Sequence, residues 1–136
     1  MMTSESPSPL STRDLAVTLV DLCNSGRNHE CYDRFYADDV VSVEAAPLFP
    51  GGSPVSDGLP AVRAKIEGWT RMAKMSDAVC EGPFLHGDDK FAVRNTAKME
   101  FVEGPMRGRT VEIVEVGVYT VREGKIVREE FFALDC

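Results

Sequence analysis

The sequence predicts a single α+β domain in which three N-terminal helices pack on a curved antiparallel β-sheet. Three observations predict it. Apolar residues recur at helical spacing through the first half of the chain, and from Asp77 onward the pattern changes to two-residue alternation. Turn residues punctuate that second half at Gly87-Asp88-Asp89, Glu103-Gly104-Pro105 and Arg122-Glu123-Gly124, each a plausible hairpin turn. Helices first and a run of strands afterwards is the order of an α+β chain. No internal repeat and no inner linker suggests a second domain.

Ser11 or Thr12 can cap a first helix with Asp14 in its opening turn. Its stripe is Leu15, Leu19 and Leu22, flanked by Ala16, Val20 and Cys23, and Asn24-Ser25-Gly26 ends it. Cys31, Tyr32, Phe35 and Tyr36 predict a short second helix over 28–36, closed by Ala37-Asp38-Asp39. Val40, Val41 and Val43 mark a first strand. The stretch over 45–58, with three prolines and three glycines, predicts a loop. Asp57 can cap a third helix with Pro60 in its first turn, and Val62, Ile66, Trp69, Met72 and Ala73 mostly share one face. Strands are expected near 78–86, 90–103, 109–122 and 125–134.

Hydrophobic residues make up 43% and charged residues 27% of the 136, the balance of a chain that folds unaided. The formal charge is −7 and no run of Lys or Arg is dense, so neither nucleic acid nor an anionic membrane is an expected partner. The apolar stretch over 113–121 is broken by Glu115 and Gly117, and no transmembrane helix is expected. Residues 1–12, rich in Ser and Pro, read as a mobile tail rather than a secretory signal, which leaves 13–136 as the domain. Cys23, Cys31, Cys80 and Cys136 are scattered, and with His29 and His86 they show no zinc-site spacing. Reduced thiols, a cytoplasmic location and no metal are the expectation. No Ser-His-Asp or Cys-His set and no Gly-rich phosphate loop is assembled by spacing, so neither covalent catalysis nor nucleotide binding is expected.

The order helix, short helix, Phe35-Tyr36-Ala37-Asp38-Asp39-Val40, Pro/Gly loop, third helix and four long strands resembles the nuclear transport factor 2-like, or SnoaL-like, superfamily. The helix break Asn24-Ser25-Gly26 and the closing hairpin over 118–127 carry the same resemblance, which spans about residues 11–135. It implies a cone-shaped, cystatin-like fold whose sheet is mixed at one edge and which encloses a small-molecule pocket. The superfamily includes isomerases, hydrolases, cyclases, dehydratases and non-catalytic partners. Within it, the spacing from Lys98 through Gly108-Arg109 to Glu123-Gly124-Lys125 is most similar to the limonene-1,2-epoxide hydrolase group. That group's acid-base Arg-x-Asp corresponds to Lys98-Met99-Glu100, a cation and a carboxylate on one side of a strand. Its second Asp falls on Phe131, and its water-holding Tyr and Asn fall on Ser42 and Glu44. Comparison with the ketosteroid isomerase branch puts Glu44 at the general base, Leu19 where that branch has a Tyr, and Gly117 near its second acid.

Alternation places Ile113, Glu115, Gly117 and Tyr119 on one strand face and Val114, Val116 and Val118 on the other. The resemblance implies that the mixed row lines the pocket and that the valine row meets a second subunit, so a homodimer through the sheet is expected. Ser42, Glu44, Lys98, Glu100, Glu115, Tyr119 and Glu129 are then expected to converge under Trp69 and Met72. Several enclosed carboxylates cannot all stay ionised, so one is expected as proton donor and another, held ionised by Lys98, as base. Glu100, Lys98 and Glu44 are the candidate catalytic residues. Ser42, Trp69, Met72, Glu115, Tyr119, Glu129 and Phe131 are the candidate substrate-binding residues. Alternation settles relative and not absolute orientation, so a solvated face with Lys98 and Glu100 in cross-strand ion pairs stays open beside this reading. His86, before a turn, is a candidate proton shuttle or a plain turn residue.

Two functions follow. One is a cofactor-independent acid-base enzyme that acts on a small, largely apolar metabolite by hydrolysis, isomerisation or dehydration. The other is a non-catalytic small-molecule-binding or dimeric interaction protein of the same fold.

Overall fold

The computed structural model describes residues 9–47 and 51–134. Most of the expected tail, and Cys136, lie outside the described residues. Thr12, which the tail was expected to include, is the first residue of a helix, α1 (Thr12–Asn24), and its Oγ1 donates to the Asp88 carbonyl. The Ser11 hydroxyl accepts the Asp14 N–H and caps that helix. Helix α2 (His29–Arg34) is shorter than its apolar spacing suggests. At Phe35 the chain turns into β1 (Tyr36–Val43), because the Phe35 carbonyl takes the Ile126 N–H at 2.7 Å and Tyr36 pairs with Ile126.

The expected loop contains a short strand, β2 (Val55–Asp57), antiparallel to β1. It is followed by α3 (Leu59–Met72), capped at Gly58 rather than Asp57, since Asp57 is the last residue of β2. Gly58 has φ 92° and donates its N–H to Val40, a left-handed conformation that suits glycine. The third helix follows the first strand, as the order read from the sequence has it, with β2 added ahead of it, and lies before β3 (Ala73–His86), so the description as three N-terminal helices holds only in part. The remaining strands are β4 (Lys90–Phe101), β5 (Thr110–Arg122) and β6 (Lys125–Ala133). The β5–β6 turn places Glu123 at φ 52° and Gly124 at φ 74°, the pair of positive values of a tight hairpin turn.

The six strands form one curved, open sheet in the order β2-β1-β6-β5-β4-β3, antiparallel except where β1 runs parallel to β6. Its concave face buries Phe91, Val93, Tyr119, Val121 and Ile126 against Leu15, Leu19 and Leu22 of α1. Each such side chain stabilises the fold by about 1.5–3 kcal/mol relative to exposure. A second cluster, Ala73, Met99 and Phe101 with Trp69, fills the space beside the C-terminal end of α3. The outer edge of β3 is closed by one amide: Asn24 Nδ2 donates to the Cys80 carbonyl at 2.9 Å and its Oδ1 accepts the Cys80 N–H at 2.8 Å. That pair docks the end of α1 and satisfies two groups of an edge strand. Among the described residues, no helix is long and apolar enough to cross a membrane.

Candidate functional site

Strand register brings one row of polar side chains to the concave face. Ser42 on β1 and Tyr119 on β5 both pair with Glu129 on β6, so the three stand side by side. Glu129 and Ser42 are fully buried. The Glu129 carboxylate accepts from Tyr36 Oη at 2.5 Å through Oε2 and from Ser42 Oγ at 2.9 Å through Oε1. Lys65, reaching in from α3, donates to Ser42 Oγ at 2.5 Å and pairs with Glu44 Oε1 at 2.9 Å. Ser42 uses its single proton on Glu129 and a lone pair on Lys65, so the direction of this chain of bonds is set. Tyr36, Glu129, Ser42, Lys65 and Glu44 thus form one connected network.

Burial raises the Glu129 carboxyl above its ordinary value, while the Tyr36 hydroxyl, the Lys65 ammonium and Ser42 draw it back. Burial, followed by the Glu129 charge, pushes the Tyr36 phenol well up, so it remains a donor. Glu115, on the same face of β5, is pushed up to about 7, first by burial and then by the Glu44 carboxylate; Glu129 adds to this, and Asn95 and Lys65 oppose it. A carboxyl poised near neutrality in a recess is suited to exchange protons.

Beside this network, an open depression of about 320 Å³ lies between the ends of β1 and β6, lined by Val43, Glu44, Ala45, Glu130, Phe131, Phe132 and Ala133. The Lys65 ammonium sits 5.5 Å from the centroid of the Phe131 ring. Phe131 meets Tyr119 edge-on at 6.3 Å, and Tyr119 stacks on Phe91 at 4.8 Å. The rings close over Gly117, where an added Cβ would lie 3.1 Å from both Phe131 and Tyr119.

Of the residues the sequence singled out, Ser42, Glu44, Glu115, Tyr119, Glu129 and Phe131 come together on this face. Trp69 belongs to the second cluster, 6.3 Å from Phe101, and Met72 ends α3 with its carbonyl taking the Val102 N–H at 2.8 Å. Lys98 and Glu100 do not join them. The odd positions of β4, Phe91, Val93, Ala97, Met99 and Phe101, are buried, so the even positions face outward. Lys98 is half exposed and stands 3.7 Å from Asp77, and Glu100 is exposed. The expectation of a pocket-facing Lys98-Glu100 pair is corrected accordingly. His86, at the end of β3, is also exposed.

Two members of the network were missed. Tyr36 had been counted in the second helix, and nothing local marks it as the start of a strand. Lys65 left a signal: it lies three residues after Val62 and four before Trp69, hence beside the apolar stripe of α3 rather than opposite it. Among the described residues, no three His, Cys, Asp or Glu side chains are grouped as a metal ion would need.

The model of the SnoaL-like domain family matches residues 10–133. A Mesorhizobium loti protein provisionally assigned as a SnoaL-like polyketide cyclase, and also described as a carbohydrate phosphatase, has a solved structure that is 32% identical, with TM-score 0.81, over 90% of this chain and 99% of that one. A Xanthomonas campestris protein of unknown function with a cystatin-like fold is 19% identical, with TM-score 0.71, over 93% and 92% of the two chains. IdmH from Streptomyces antibioticus, also provisionally assigned as a polyketide cyclase, is 21% identical, with TM-score 0.66, over 90% and 91%. No curated protein matches the chain. Because the family match runs almost from end to end, on a fold that these structures share, the chain belongs to the SnoaL-like domain family.

Proposed function

We propose that the chain is a cofactor-independent acid-base enzyme for a small, largely apolar molecule, with Glu115 exchanging the proton and Lys65 steadying the oxygen that gains charge. The observation that carries this reading is the Glu115 carboxyl, raised to about 7 on the same concave face as a buried ammonium. At neutral pH about half of such groups are ionised, so one residue can take a proton from carbon and return it elsewhere. Lys65 is held by Ser42, and Ser42 by Glu129, so the cation is in place before any substrate arrives. Proton removal and return beside a carbonyl is the step shared by isomerisation and ring closure. The provisional cyclase assignments of the Mesorhizobium and Streptomyces proteins agree with that class, although the first also carries a carbohydrate phosphatase description, a hydrolytic one. Epoxide opening of the limonene type has less support here, since the pair at Lys98 and Glu100 faces solvent.

The test is solvent-deuterium exchange into a panel of enolisable ketones and β-diketones, followed by proton NMR. Glu115→Gln should lower the exchange rate by at least the roughly 10²-fold of lost acid-base catalysis. An unchanged rate in that variant would refute the role given to Glu115. The non-catalytic binding reading has its own observation: both Glu129 oxygens and the Lys65 ammonium are already partnered within the protein, as in a structural network. No exchange with any member of the panel would favour it.

The same reading includes a homodimer through the convex face of the sheet. Val116 and Phe132 are cross-strand partners there, 38% and 55% exposed, with half-exposed Phe84 and Val79 on the same face beyond β4, across the Arg94–Glu81 ion pair. An apolar patch of this kind on a strand face marks an interaction surface.

A further inference from the structure

The two partners of the Glu44–Lys65 pair are held to different degrees, Lys65 by a second bond and Glu44 by the ion pair alone among the described residues. The Lys65 side chain is 7% exposed, anchored on Ser42, and through it on Glu129. Glu44 is 20% exposed, stands just past the last residue of β1, and forms part of the wall of the 320 Å³ depression. Its backbone N–H is tied to the Pro54 carbonyl at 2.9 Å, which holds the strand end independently of the side chain. Glu44 therefore stands between the depression and a buried ammonium.

We propose that Glu44 occupies the place of a ligand's own anionic oxygen, and that the depression takes a small monoanion with an apolar body, a carboxylate or an enolate, which displaces Glu44 from Lys65. The proposal rests on the reading of Lys65 as part of the functional site, which the depression adjoins through Glu44 and Phe131, and names the class of molecule it admits. Charge selects the class. Exchanging Glu44 for a monoanion leaves the charge around Lys65 unchanged, whereas a ligand that stays neutral, without forming an enolate there, would leave a buried ammonium without its counter-ion once Glu44 swings out. A dianion would add charge next to Glu115 and Glu129, two carboxyls that already repel. Val43, Ala45, Phe131 and Ala133 suit the apolar body, and the volume lies at the lower end of the roughly 300–1,000 Å³ of small-molecule sites. The Phe131 ring below the ammonium gives a flat body a surface to stack on.

Benzoate and benzamide, of one shape and different charge, are the probes, titrated by calorimetry at pH 7 into the full-length protein. Benzoate should bind at least about tenfold more tightly than benzamide, a difference that needs no variant to measure. Glu44→Gln should bind benzoate about tenfold more tightly than the unmodified protein, because the competing charge is gone, and Lys65→Met should lose the preference for benzoate. Equal binding of the two probes, or no gain in a folded Glu44→Gln, would overturn it. Glu115→Gln should keep benzoate binding while losing deuterium exchange, so the failure of the ligand class and the failure of the acid-base role give different results.

Discussion

Tyr36 and Glu129 are 93 positions apart in sequence and 2.5 Å apart in space, hydroxyl to carboxylate. The parallel pairing of β1 with β6 makes the contact, and an irregularity in register after Tyr36 lets both Tyr36 and Ser42 reach the same carboxylate from one strand. Tyr36→Phe removes one of its two donors. The expected loss is about 1.5–3 kcal/mol of unfolding free energy, the worth of a hydrogen bond to a charged group. Because Tyr36 draws the Glu129 carboxyl down, its loss raises that carboxyl further, so the ionised form is the one penalised. Urea denaturation should show a larger deficit at pH 8 than at pH 5; an equal deficit at both would argue against an ionised partner.

Glu115 makes stability depend on pH in a definite direction. Its folded value of about 7 lies above the ordinary 4.5, so the folded state binds the proton more tightly than the unfolded chain. Its contribution is fully present below about 4.5, falls as pH rises toward 7, and is lost above it, by up to about 3 kcal/mol at about 1.4 kcal/mol per unit. Glu115→Gln should flatten this part of the pH-stability curve and be more stable than the unmodified protein at pH 8. A curve that keeps its slope in the variant would mean that another group is responsible.

Val116→Asp should turn a dimer into a monomer at micromolar concentration in sedimentation, because charge would be buried opposite Phe132 on the convex face. The unmodified protein sedimenting as a monomer would sink the dimer.

Gly117→Ala places a methyl group 3.1 Å from two rings packed on each other. Overpacking of this kind costs about 1–3 kcal/mol, and the Phe131 ring has room to yield toward the depression, since it forms part of its wall. A changed near-ultraviolet circular dichroism with a lower midpoint of unfolding is expected. A variant as stable as the parent, with an unchanged spectrum, would show that the rings do not meet over Gly117.

The pattern of residues by itself determined the class of fold, the α1 stripe, the long strands and the tight β5–β6 turn, because these are local: periodicity, caps and turn chemistry act over a few residues. It also named six side chains that share the concave face: alternation grouped Glu115 with Tyr119 and Glu129 with Phe131, and the family resemblance supplied Ser42, Glu44 and the choice of face. What it left open was which face of β4 is inward. Phe91, Val93, Ala97 and Met99 decide that by burying themselves under α1 and beside α3, and Lys98 and Glu100 follow outward. Tyr36 and Lys65 depended on tertiary structure in the same way. The partners of Tyr36 and Lys65 come from elements that meet only once the parallel β1–β6 pair has formed and α3 has docked across it. A buried charge is tolerated only where partners from several elements satisfy it together, so the site exists only in the assembled fold.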